Sequence, residues 1–108
     1  MITEEQVESA VTYLRDNAKN AAKANAEAKY LDDFSRVVKS QQMKLHEGSI
    51  ANREMEAYAS TAYQEHLKLV EIAQGRDMYH RHMINAANTL LDVWRTESSN
   101  QRALGKVV

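Results

Sequence analysis

From residue 3 onward, apolar or small side chains recur at Val7, Val11, Leu14, Ala18, Ala21, Ala28, Leu31, Phe34, Val38 and Leu45, mostly in steps of three and four. This is the period of one helix face, and it predicts a helix over about residues 3–47, interrupted where Asn25 and the Gln41/Gln42 pair take the inward turn. Thr3 stands three residues before Gln6, the signature of a capping box, and Glu4, Glu5 and Glu8 follow in the positively polarised first turn. Gly48 supplies a left-handed stop, with His46 placed in the negative last turn.

Ser49 is an N-cap for a short connector helix over about 50–59, whose apolar side is Ala51, Met55 and Tyr58 or Ala59. Ser60 or Thr61 caps the next element, and the Thr61 to Gln64 spacing reads as a second capping box. The helix that follows, about 61–104, carries two adjoining stripes. One is Tyr63, Leu67, Val70, Ala73, Ile84, Ala87, Leu91 and Trp94; the other is Leu69, Ile72, Tyr79, Met83, Ala86, Leu90 and Val93. Gly75, unfavourable by about 1 kcal/mol in a helix interior, marks a kink or a close backbone crossing. Gly105 is expected to cap the helix and leave 105–108 as a loose tail.

A chain of 108 residues makes one small domain, and the absence of proline with only three glycines points to long uninterrupted helices. The expected fold is all-α: a long helical hairpin with a short connector. Such a hairpin cannot cover both stripes of its last helix, so pairing is expected, as a four-helix bundle or antiparallel coiled-coil homodimer. The alternative is a break at Gly75 that folds the last helix back into a monomeric bundle. There is no cysteine, which removes disulfides, thiolate catalysis and sulfur-ligated metal, and the acidic amphipathic start is unlike a signal peptide. A cytoplasmic location and no membrane association are the expectation.

Asp77, His80, Arg81 and His82 form the densest polar group inside an apolar segment. Asp77 and His80 are three apart on one helical face, a spacing that suits either a polar core layer or a carboxylate orienting a metal-bound imidazole. The polar layer is the preferred reading, since His80 and His82 point to opposite sides and no strong metal signature exists; no metal or cofactor is expected. Ser35, Ser40, Ser49 and Ser60 have no base at a readable spacing, and there is no phosphate loop, so no enzymatic activity is expected.

Fourteen Lys and Arg against fifteen Asp and Glu give a net charge of −1, which hides a basic C-terminal arm containing Arg76, Arg81, Arg95, Arg102 and Lys106. These cations complement the helix dipole, or they contact nucleic-acid phosphates with Ser98, Asn100 and Gln101 as neutral donors. Trp94, set among Ile84, Ala87 and Leu91, reads as core or as a stacking platform.

The segments MITEEQVESAVTYLRDNAKNAA, YLDDF, REMEAYAS and DVWRTESSNQRALG together span most of the chain. They resemble a group of small uncharacterised helical proteins of tailed bacteriophages and prophages, often encoded among early recombination and replication genes. Thr61 stands where that group often has a proline after the cap, a departure that affects the connector and not the activity the resemblance implies. The resemblance implies a bacterial host cytoplasm and a role in phage DNA metabolism or control of a host factor. The expected function is a non-catalytic accessory protein that presents helical surfaces to a phage or host protein. Its candidate contacts are the aromatics and arginines Tyr13, Tyr30, Tyr58, Arg95 and Arg102. Direct DNA binding through the basic arm, or a place in virion assembly, are the alternatives.

Overall fold

The computed structural model describes residues 1–107, with side chains described through residue 105. The fold is all-α, with three helices and no strand among the described residues: α1 Glu4–Met43, α2 Ile50–Ala59 and α3 Thr61–Val107. The start of α1 is the expected capping box: Gln6 N donates to Thr3 Oγ1 at 3.2 Å while Thr3 N donates to Gln6 Oε1 at 2.9 Å.

The end of α1 comes earlier than the 47 expected. After Met43 the backbone tightens, Leu45 N donating to Gln42 O and His46 N to Met43 O, and Leu45 is exposed, so no burial holds another helical turn. His46 therefore lies outside the helix. Gly48 does adopt a positive φ, +110°, but in the loop that sets up α2. There Ser49 caps by accepting from Asn52 N at 3.1 Å, and Asn52 Nδ2 donates back to Glu47 O at 3.1 Å.

The apolar side expected for α2 is also corrected. Met55 and Ala51 are exposed, and the buried residue is Ala57, because α2 turns Glu54 toward Lys39 of α1. Ser60, rather than Thr61, caps α3: its Oγ accepts from Tyr63 N at 3.2 Å and donates to Ala57 O at 2.6 Å. Gln64 closes no second box; its Nε2 donates to Tyr58 O at 2.8 Å.

Helix α3 runs unbroken through Gly75, and a Cβ built there meets nothing within 4 Å. That removes both the close crossing and the folded-back alternative. Gly105 is helical too, so the helix passes the expected cap; of the expected loose tail, Val108 lies outside the described residues.

The chain forms two compact units, one over Ala22–Met78, the other combining Met1–Ala21 with the C-terminal segment from Tyr79. In the first, α1 and α3 run antiparallel, with Glu27 against Arg76, Leu31 against His66, and α2 against α1 through Lys39 and Glu54. Its inward residues are Ala24, Ala28, Leu31, Ser35 and Val38 on α1 and Tyr63, His66, Val70, Ala73 and Asp77 on α3. In the second unit they are Val7, Ala10, Leu14, Asn17 and Ala21, with His80, Ile84, Ala87, Leu91 and Trp94 on the opposing helix. Ile2 N there donates to Glu97 Oε2 at 3.2 Å.

These series alternate steps of three and four, a mean period of 3.5. What differs from the expected series is the order of the steps, four-three giving way to three-four, and this moves three positions by one residue each. Val11 and Ala18 lie outside while Ala10 and Asn17 turn inward, and Leu67 is exposed while His66 takes its place. Among the described residues, the buried hydrophobic side chains are six alanines and two valines. No leucine, isoleucine, methionine or aromatic ring among them is fully withdrawn from solvent.

Candidate functional site

Two polar groups are built into the Ala22–Met78 unit. Asn25 Nδ2 donates to both carboxylate oxygens of Asp77, at 3.3 and 3.4 Å, with Asp77 only 8% exposed. Six residues along α1, the Leu31 carbonyl lies 2.7 Å from Nε2 of His66, which is 6% exposed. A carbonyl only accepts, so this nitrogen carries the proton, and the tautomer follows from the fold. The imidazole packs against Phe34 with ring centroids 5.9 Å apart. The sequence does not single out His66, because Leu67 outranks it in hydrophobicity and a 3.5-residue period through Tyr63, Val70 and Asp77 falls midway between the two.

His80 sits in the other unit, half-buried, with the Tyr79 ring edge-on at 5.7 Å and no hydrogen-bond partner within the chain for its Nδ1. Among the described residues, no three His, Asp or Glu side chains converge as a metal site would require. The serine hydroxyls are engaged locally: Ser35 Oγ donates to Leu31 O, Ser49 caps α2, and Ser60 caps α3.

Near the connector, Lys39 Nζ donates to Glu54 Oε1 at 3.2 Å and stands 4.9 Å from the Tyr58 ring centroid. Side-chain hydrogen bonding to Tyr58, then to Glu54, holds the ammonium above its ordinary value of 10.5. Tyr58 in turn meets Tyr63 edge to face at 5.1 Å. Tyr30 is exposed and stacks on Phe34, centroids 5.8 Å apart.

Two grooves mark the unit that joins the N-terminal segment to the C-terminal one. The first, of about 320 Å³, is almost wholly apolar, lined by Ser9, Ala10 and Tyr13 of α1 and by Met83, Ala86, Ala87 and Leu90 of α3. Tyr13 Oη is buried at its edge with no partner in the chain. On the other flank of Tyr13, Glu5, Glu8, Thr12 and Asp16 form a polar rim. The second groove, about 500 Å³, is lined by Trp94, Arg95, Ser98, Ser99 and Arg102. Both arginines have near neighbours, Arg95 donating to Asp92 Oδ1 at 3.2 Å and Arg102 to Ser99 Oγ at 3.4 Å.

The candidate contact residues thus separate. Tyr13 lines the apolar groove, Arg95 and Arg102 line the C-terminal one, and Tyr30 and Tyr58 belong to the other unit. No helix among the described residues is long and apolar enough to cross a membrane. Compared with known proteins, the chain matches no family model, no curated protein and no solved structure.

Proposed function

We propose that this protein is a non-catalytic helical recognition protein that self-associates and presents its helix surfaces to a protein partner. The observation that carries this reading is the mismatch between its core and its surface. Among the described residues the buried hydrophobic set is six alanines and two valines, while Leu67, Leu69, Ile72, Tyr79, Met83 and Val93 of α3 stand exposed, Ile72 by 60%. At about 25 cal/mol per Å², such small buried side chains contribute little each, and the exposed ones of α3 retain hydrophobic free energy that association would release. The chain exposes 8189 Å². A folded monomer of 12.3 kDa is expected to expose about 6,100 Å². The excess is larger than the roughly 800 Å² per partner that a standard interface covers.

The setting is that of the resemblance: an accessory protein in a bacterial cytoplasm, acting in phage recombination, replication or host takeover. The test is affinity capture from host and infected lysates at several salt concentrations. Recovery of one defined protein, lost on changing an exposed apolar residue of α3 to a charge, is the expected result; nothing above background at any salt contradicts the reading.

The C-terminal groove favours one second reading, binding of nucleic acid through Arg95 and Arg102 with Trp94 as a stacking surface. Phosphate contacts make such binding fall steeply with salt, so titration of labelled single- and double-stranded DNA against salt separates the two. Presence of the chain in purified particles would favour the virion role instead.

A further inference from the structure

In its Ala22–Met78 unit the chain shows how a third helix seats on the α1/α3 pair. Helix α2, 10 residues long, buries Ala57 completely, sets Tyr58 edge-on to Tyr63 of α3, and closes its rim with the Lys39–Glu54 ion pair to α1. A small contact residue, an aromatic edge and a charge pair at the rim make up that seat. The apolar groove of the other unit offers the same parts from α1 and α3. Ala10, Ala86 and Ala87 are its small residues, Tyr13 is its aromatic, and Met83 and Leu90 border it. Its lining runs from Met83 to Leu90 along α3, about 10 Å of helix at a rise of about 1.5 Å per residue, which suits a segment the size of α2.

The charges around the groove decide what kind of segment fits. Glu5, Glu8 and Asp16 line the flank of Tyr13 that adjoins it, while the α3 side contributes Met83, Ala86, Ala87 and Leu90 and no charge. Asp16 is engaged by Arg15 of its own chain, Nε to Oδ1 3.2 Å, whereas Glu5 and Glu8 enter no ion pair among the described residues. Glu5 lies in the first turn of α1, where the helix dipole favours an acid; Glu8 lies beyond that turn. We propose that this groove docks an amphipathic helix of a different protein, apolar on the face that meets Tyr13, Met83 and Leu90, with Lys or Arg along the edge over Glu5 and Glu8. The proposal rests on the recognition reading above and names the partner's chemistry. A second copy laid face to face here would bring the same acids against these, and like charges across an interface are costly. Self-association then falls to Leu69 and Ile72, exposed in the other unit. Tyr13 forfeits no hydrogen bond in turning toward the docked helix, because its buried Oη has none within the chain.

The test is selection of a displayed library of short helix-forming peptides on the full-length chain. Enriched peptides are expected to carry apolar residues at helical i, i+3/i+4 and i+7 spacing with an excess of Lys and Arg on one flank. Ala86→Arg, which fills the groove from an exposed position, is expected to abolish binding of an enriched peptide, and Asn88→Arg, exposed and outside the lining, to leave it intact. Glu5→Gln combined with Glu8→Gln is expected to raise the peptide's Kd about tenfold at low salt and by much less at high salt, where exposed charges are screened. Circular dichroism of each variant confirms that the helices persist. No enrichment, enrichment without a basic excess, or equal binding by wild type and Ala86→Arg overturns the proposal and leaves the wider recognition reading standing, to be decided by lysate capture. Loss of self-association on Ala86→Arg in sedimentation equilibrium assigns the groove to a second copy and overturns it as well.

Discussion

Asn25 Nδ2 lies within hydrogen-bond reach of both oxygens of Asp77, a buried carboxylate, across 52 residues of sequence. A polar pair at this depth is costly to break and cheap to replace whole. Asn25→Leu, which removes one donor to this buried carboxylate, is expected to lower the unfolding free energy by about 1–3 kcal/mol in urea titration. Asn25→Leu with Asp77→Leu together is expected to be close to neutral or stabilising, with pairing of the helices less unique. A double variant less stable than the single one would contradict the pair's role as a layer that sets register.

His66 makes the complementary forecast. Its replacement by Ala removes one hydrogen bond to Leu31 O and the ring packed on Phe34, an expected loss of about 2 kcal/mol. Equal denaturation midpoints for wild type and His66→Ala would show that the inward placement contributes nothing.

Gly75 and Gly48 are expected to respond oppositely to alanine. Gly75→Ala places a methyl in open space on an unbroken helix, so stability should rise by about 0.5–1 kcal/mol. Gly48 holds φ at +110°, and a Cβ there stands 3.1 Å from Asn52 Nδ2, so Gly48→Ala should lower stability by about 1–2 kcal/mol. Thermal unfolding of the two variants in one buffer reads both signs.

Lys39 links the connector to alkaline pH. Its partners Tyr58 and Glu54 raise the folded-state pKa above the unfolded 10.5, so the stability it contributes is complete below 10.5 and disappears as pH climbs through the folded value. The gap in unfolding midpoint between wild type and Lys39→Met should be constant from about pH 8 to pH 10 and close above that. A gap that widens on going alkaline would reverse the assigned sign.

What the sequence discloses here is what neighbouring residues decide among themselves. Thr3 with Gln6, and Ser49 with Asn52, are contacts three residues apart, visible in any window that contains them. The inward Asn25 and the Asp77 layer were legible because polar residues interrupt apolar stripes. The choice between His66 and Leu67 was not, because hydrophobicity ranks Leu first, and what favours the histidine is the Leu31 carbonyl and Phe34 ring that meet it from α1, 35 and 32 residues away in sequence. The end of α1 at Met43 was missed for a related reason: Gly48 is a strong local stop, yet the helix ended where burial ran out at Leu45. The exposed second stripe of α3 was readable residue by residue, and the groove it borders became visible only when Ala10 and Tyr13 of α1 were placed beside Ala86.

Self-association is the claim on which the functional reading rests, and sedimentation equilibrium of the wild-type chain at low micromolar concentration tests it most directly. The expected result is a single species of about 25 kDa, twice the chain mass of 12.3 kDa, that gives way to monomer when Ile72→Glu places a charge in the exposed stripe. A stable 12.3 kDa species across the whole concentration range would contradict it.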